Sequence, residues 1–165
     1  MSSNSPLVAI LMGSASDASV LQACQEVLSQ FGVPFETRVL SAHRTPGETA
    51  DYVRAAEGRG IQVIVAAAGM AAHLAGACAA QTTLPVIGIP VASGPLNGQD
   101  ALLSTVMMPP GMPVATVAIN GAANAGHLAA QILALGNPGL RARLKEAREK
   151  MKQKVLESDQ ALGRG

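Results

Sequence analysis

Residues Leu7–Asp17, LVAILMGSASD, set six consecutive apolar side chains in front of a glycine, two serines and an acid. A short apolar run bounded by turn formers reads as a strand buried on both faces. Behind it, Ala18–Phe31 carries Val20, Leu21, Cys24, Val27, Leu28 and Phe31 at helical spacing, and Gly32-Val33-Pro34 ends the segment. The same unit recurs along the chain. Phe35–Leu40 reads as a strand, and Pro46 suits the first turn of a helix reaching about Arg59. Ile61–Ala67 is a third strand, followed by a small-residue helix from about Ala71 to Gln81. Pro85–Ile89 and Pro113–Ile119 are further strands, with a helix over Asp100–Val106 between them and another over Gly121–Leu135. Strand and helix alternating in this way predict an α/β fold, a three-layer doubly wound parallel sheet, as one domain over residues 7–137.

Composition narrows the function. Of 165 residues, 48% are hydrophobic and 14% charged, which excludes disorder and is well below the roughly 25% charge of an average soluble chain. Too few charges to cover a monomer predict a buried subunit interface. With 12 basic and 11 acidic residues, no net field draws the chain to nucleic acid or lipid, and 2% aromatics without tryptophan exclude base-stacking platforms. From Gly60 to Leu140 the only formal charge is Asp100. A membrane span is not expected, because the most apolar stretch, Val63–Ala80, is mostly alanine with Gly69, His73 and Gly76 inside it. Residues 1–6 read as a flexible N-terminus with no secretory pattern, so the expected location is cytoplasmic. Cys24 and Cys78 lack CxxC partners and read as buried apolar residues, and with three scattered histidines they make no convincing metal set.

The segment 138–165 differs from the body. Arg141–Gly165 holds eight of the basic residues and four acids, and Leu140, Leu144, Ala147, Met151, Val155 and Leu156 form a narrow apolar stripe. This predicts an extended C-terminal helix lying across a neighbouring subunit, with packing on its own domain as the alternative.

In open parallel sheets, ligands sit beyond the carboxyl ends of the strands, so the strand-to-helix loops are where chemistry is expected. In the first loop, Gly13 allows close backbone approach, Ser14 and Ser16 offer hydroxyls, and the helix that follows presents free N–H groups to an anion such as phosphate. Asp17 is suited to accept from ribose hydroxyls; the alternative is that Ser16 or Asp17 only caps the helix. The loop is neither GxGxxG nor a P-loop, against dinucleotide and ATP sites. In the second loop, Ser41-Ala42-His43-Arg44-Thr45-Pro46, Arg44 beside Ser41 makes a phosphate clamp and His43 supplies a side chain suited to proton transfer near neutral pH. A merely solvated loop is the alternative. In the third, Ala67–Gly76, small residues allow backbone N–H groups to line a carboxylate pocket; His73 either reaches that pocket or hydrogen-bonds within a tight helix start. His127 sits at an apolar helix position and reads as packing. No GxSxG elbow and no carboxylate pair near strand ends point to a hydrolase.

Five segments appear in a telling order: GSASD (13–17), SAHRTP (41–46), AAHLAG (71–76), LPVIGIP (84–90) and PVATVAI (113–119). Over Val8–Leu135 the chain resembles the N5-carboxyaminoimidazole ribonucleotide mutase family of purine biosynthesis. The resemblance implies an isomerase, a homo-octamer of flavodoxin-like subunits, with no metal and no organic cofactor. It implies that Ser14, Asp17 and Arg44 bind ribose and phosphate with Ser16 and Ser41 in support. His43 would act as general acid/base, and Ala68, Gly69, His73 and Leu74 would border a CO2 pocket. Ala92 and Met107 stand where relatives often carry glutamine, which puts interface or pocket hydrogen bonds in question. Two alternatives remain: a carboxylase of the same fold that uses CO2 directly, and a noncatalytic phosphate- or nucleotide-binding module.

Overall fold

The computed structural model describes residues 5–163. The expected flexible N-terminus lies outside the described residues apart from Ser5 and Pro6. Strands β1 (Val8–Met12), β2 (Phe35–Val39), β3 (Val63–Gly69), β4 (Val86–Val91) and β5 (Ala115–Thr116) form one sheet in the order β2-β1-β3-β4-β5. Every pairing is parallel. Helices α1 (Ala18–Gln30), α2 (Pro46–Ala56), α3 (Leu74–Ala79), α4 (Gln99–Val106) and α5 (Ala122–Leu133) cover both faces, and α6 (Pro138–Leu162) follows. This is the doubly wound order of flavodoxin-like folds.

The period-two alternation of strand side chains splits the core in two. Val8, Ile10, Met12, Val63, Val65, Ile87 and Ile89 face α1 and α5. Ala9, Leu11, Ile64 and Ala66 face α2 and α3, where Val53, Ala56, Leu74 and Cys78 meet them. Fully burying one such aliphatic side chain contributes about 1.5–3 kcal/mol, so these two layers carry most of the apolar stabilisation. Small residues set the spacing. A Cβ on Gly88 would lie 2.4 Å from the Thr105 methyl, and one on Gly126 would lie 2.9 Å from the Cys24 carbonyl, so α4 closes on β4 and α5 on α1 only through glycine.

Parallel register brings the strand ends to one side. Met12 stands opposite Val39 on β2 and Ala67 on β3, and Ala68 opposite Pro90 on β4. The loops after β1, β2, β3 and β4 therefore emerge together.

The structure departs from the sequence reading at β5 and at the start of α3. Pro113–Ile119 was expected as a strand, but only Ala115 and Thr116 pair in the ladder. This outermost segment has one neighbour, and it continues only through single bonds from Val117 N to Gly88 O and Asn120 N to Pro90 O before turning at Asn120 (φ 56°). The helix expected from Ala71 starts at Leu74, because Met70 adopts φ 53° and the chain makes two tight turns before it. The C-terminal helix divides its allegiance. Leu140 is buried and Leu144 and Ala147 pack on the α1/α5 core, while Met151, Val155, Leu156 and Leu162 are exposed. Asn137 caps α6 by accepting from Leu140 N, and Arg141 donates to the last carbonyls of the α5 turn, Ala134 and Leu135. His127 packs edge-on against Phe31, ring centroids 5.6 Å apart.

At the β2 edge, Tyr52 Oη and Arg59 both donate to Glu36 Oε1, and the Arg59 and Arg38 guanidiniums stand 4.7 and 5.5 Å from the Tyr52 ring centroid. Burial alone would raise the Glu36 carboxyl, but hydrogen bonds from Tyr52 and Arg59 and the two guanidinium charges hold it below its ordinary range. Tyr52 is pushed up by burial and by the Glu36 charge.

Candidate active site

The first loop leaves β1 at Gly13 and enters a single 3-10 turn, Ala15–Asp17, before α1. Ser14 caps that turn, its Oγ accepting from Ser16 N at 3.3 Å and from the Ser16 hydroxyl at 2.8 Å. Capping falls to Ser14 instead of Ser16 or Asp17: the Asp17 side chain makes no cap hydrogen bond. Asp17 is 8% exposed, and burial raises its carboxyl above the ordinary 3.8 against the opposing pull of the Ser14 backbone, the Ser16 hydroxyl and the Arg44 charge. The Ser16 hydroxyl donates to Asp17 Oδ1 at 3.5 Å, which leaves this buried carboxylate with acceptor capacity for a hydroxyl-bearing ligand.

The second loop is a closed turn. Thr45 Oγ1 accepts from Ser41 N at 2.8 Å and donates to Ser41 O at 3.1 Å, and Thr49 Oγ1 donates to Thr45 O at 2.7 Å. Ser41 Oγ in turn accepts from Arg44 N at 3.1 Å. This braces the backbone so that His43 and Arg44 project outward, and both are exposed. Arg44 Nη2 donates to Gly13 O at 3.1 Å, tying the second loop to the first.

The third loop carries Gly69 and Met70. A Cβ on Gly69 would stand 2.0 Å from Ser93 Oγ, so the hydroxyl at the end of β4 occupies the space a larger residue would need. His73 immediately precedes α3, and its side chain makes no cap bond there. Its Nδ1 lies 2.8 Å from His43 Nε2, with the rings edge to face at 83°.

Ser14, Ser16, Asp17, Ser41, His43, Arg44, Ala68, Gly69, His73 and Leu74 all line one cleft of about 290 Å³ at the carboxyl end of the sheet. Ala92 and Met107 do not line it; Ala92 N donates to Asn120 Oδ1 at 2.9 Å and Met107 is 77% exposed at the end of α4. The cleft offers a guanidinium, serine hydroxyls and a carboxylate together with an imidazole pair and several small residues. An anionic sugar fits the first set of groups and proton transfer the imidazoles. Among the described residues, no cluster of three His, Cys, Asp or Glu side chains could hold a metal ion.

Sequence comparison decides the family. AIR carboxylase, the family whose profile fits this chain, covers residues 7–154. The chain belongs to the AIR carboxylase family. Similar members of the AIR carboxylase family include the N5-carboxyaminoimidazole ribonucleotide mutase of Thermotoga maritima, 53% identical over 157 residues, or 95% of this chain and 92% of that one. The mutase of Bacillus subtilis is 54% identical over 159 residues, covering 95% and 98%. The crystal structure of Treponema denticola PurE is 30% identical and superposes with a TM-score of 0.85 over 95% of this chain and 98% of that one.

Three features escaped the sequence reading. Thr45 and Thr49 brace the turn, and the i,i+4 spacing of Ser41, Thr45 and Thr49 was the available signal. Ser93 lines the cleft from a position that carries no motif, and the His43–His73 bond joins residues 30 apart.

Proposed function

We propose that this protein interconverts N5-carboxyaminoimidazole ribonucleotide and 4-carboxy-5-aminoimidazole ribonucleotide. The observation that carries this reading is the single cleft that brings His43 together with Arg44, Asp17, the serine hydroxyls and the small residues Ala68 and Gly69. The mutase names of relatives at about half identity over nearly the full chain support it.

In this reading Arg44 and Ser14 hold the phosphate, Asp17 takes ribose hydroxyls, and Ser16 and Ser41 support them. The carbamate N–C bond breaks, its electron pair staying on the exocyclic nitrogen, which takes a proton from His43. The CO2 released is held by Ala68, Gly69, His73 and Leu74. The ring π electrons at carbon 4 then form the new C–C bond, and the proton on carbon 4 passes to His43 as its bonding pair returns to the ring. The net reaction is redox-neutral, the carboxyl carbon trading a bond to nitrogen for one to carbon while carbon 4 trades its bond to hydrogen for one to carbon, and one proton serves both halves, so the scheme needs neither metal nor organic cofactor.

The protein is proposed to work as a homo-octamer, α6 crossing to a neighbouring subunit; the exposed Met151, Val155, Leu156 and Leu162 on α6 and the exposed Leu103, Val106 and Met107 at α4 support burial between copies. Light scattering checks the assembly, and a monomer would overturn it. A phosphorylated substrate puts the proposed location in the cytoplasm. An ultraviolet assay of the purified protein with the carbamate ribonucleotide tests the activity. Loss of that substrate without ATP supports the mutase. Turnover only of aminoimidazole ribonucleotide with bicarbonate would make the protein a direct carboxylase, and binding without product would reduce it to a ligand-binding module.

A further inference from the structure

The His43–His73 contact constrains which nitrogen carries which proton. A neutral imidazole has one donor and one acceptor nitrogen, so a bond between two of them leaves two assignments. His43 Nε2 donates to His73 Nδ1, or the reverse, at the observed 2.8 Å. The bond is not a by-product of core packing, since both side chains are exposed at the cleft, and His73 Nδ1 is not engaged in capping α3.

Acid/base work selects between the two. An imidazole that accepts and returns a proton passes through its imidazolium form, in which both nitrogens are donors. During that interval the partner atom has to be an acceptor. For the contact to persist through the cycle, His73 Nδ1 carries no hydrogen and His73 holds its own on Nε2. The proton on His43 Nε2 is then fixed in the shared bond, and His43 Nδ1 is left as the nitrogen that exchanges a proton with a ligand.

We infer that His73 is a positioning residue that locks His43 in its Nε2–H tautomer, leaving Nδ1 as the working base. This rests on the reading of His43 as the proton carrier, but the tautomer itself is measurable without substrate. Imidazole orientation and tautomer set by the partner of the other ring nitrogen is a general device, and removing such partners costs about 10- to 100-fold at metal-bound histidines.

The test is long-range 1H–15N correlation on the intact, histidine-labelled protein, with His43→Asn to assign the signals, alongside steady-state kinetics. In the wild type, neutral His43 and His73 should both show Nε2–H. In His73→Leu, His43 should become a tautomer mixture and kcat should fall about 10- to 100-fold with KM changed less than about threefold. In His73→Asn, where an amide oxygen can stand near the lost Nδ1, the single tautomer and most of kcat should return. Nδ1–H on wild-type His43, or an unchanged tautomer and kcat in His73→Leu, would overturn the inference. Should His73→Leu fail to fold, the wild-type spectrum and His73→Asn still decide it. A correct tautomer pattern with turnover retained in His43→Asn would sink the role of His43 in catalysis alone.

Discussion

Arg44 Nη2 donates to the Gly13 carbonyl at 3.1 Å, across 31 residues of sequence. The guanidinium thereby joins the loop that follows β1 to the loop that follows β2, while its remaining N–H groups stay available to an anion.

Replacing Arg44 with alanine should therefore weaken substrate more than it weakens the fold. A hydrogen bond to a charged group is worth about 1.5–3 kcal/mol, or about 10- to 150-fold in KM. Lysine should recover only part of this, because it lacks the planar fork. Steady-state kinetics on both variants checks the order.

Asp17→Asn should trade binding for stability. The folded-state carboxyl is raised above 3.8 by burial, so the folded protein holds this proton more tightly than the unfolded chain. Stability is then lost as pH rises from 3.8 through the folded-state value, and the ionised side chain burdens the fold at neutral pH. The asparagine variant should melt higher than the wild type at pH 7, with the gain shrinking as pH falls toward 3.8, while substrate affinity drops. Thermal scans across that range, with binding measured in parallel, provide the check.

His43→Asn should leave the protein folded, because the side chain is exposed and its one side-chain bond is to His73. Turnover of the carbamate ribonucleotide should fall by about 10²–10⁴, the usual contribution of a general acid/base. Unchanged turnover with a normal melting curve would remove His43 from the mechanism.

Gly69→Ala meets Ser93 Oγ at 2.0 Å and Ser93 Cβ at 3.1 Å. Overpacking of this kind costs about 1–3 kcal/mol, and here it also narrows the proposed CO2 pocket. Adding Ser93→Gly removes the two Ser93 atoms and leaves the Val91 carbonyl at 3.2 Å, so the double variant should recover much of the stability that the single one loses. Denaturant melts arranged as a double-mutant cycle should show a coupling of about 0.5–3 kcal/mol.

The fold was readable because most strands are apolar runs bounded by glycine, serine or proline, and a parallel doubly wound sheet follows from alternating strands and helices; the strand order β2-β1-β3-β4-β5 lies outside that reading. The loop residues were readable because Ser14, Asp17, Ser41, His43 and Arg44 are chemically distinct and lie at strand ends. What stayed hidden depends on distance in space. Nothing in the local sequence brings Ser93 behind Gly69 or turns His73 toward His43. The edge segment 113–119 has a strand's composition, yet a single pairing partner leaves it only two ladder residues.

The chain has one tyrosine and no tryptophan. Tyr52, bonded to Glu36 and flanked by Arg59 and Arg38 at the β2 edge, is thus the dominant intrinsic fluorophore, and it does not line the cleft. Its emission reports the loosening of that outer border during denaturation and stays silent on ligand entry. Occupancy is better followed through the nucleotide's own chromophore or through a tryptophan installed near the cleft.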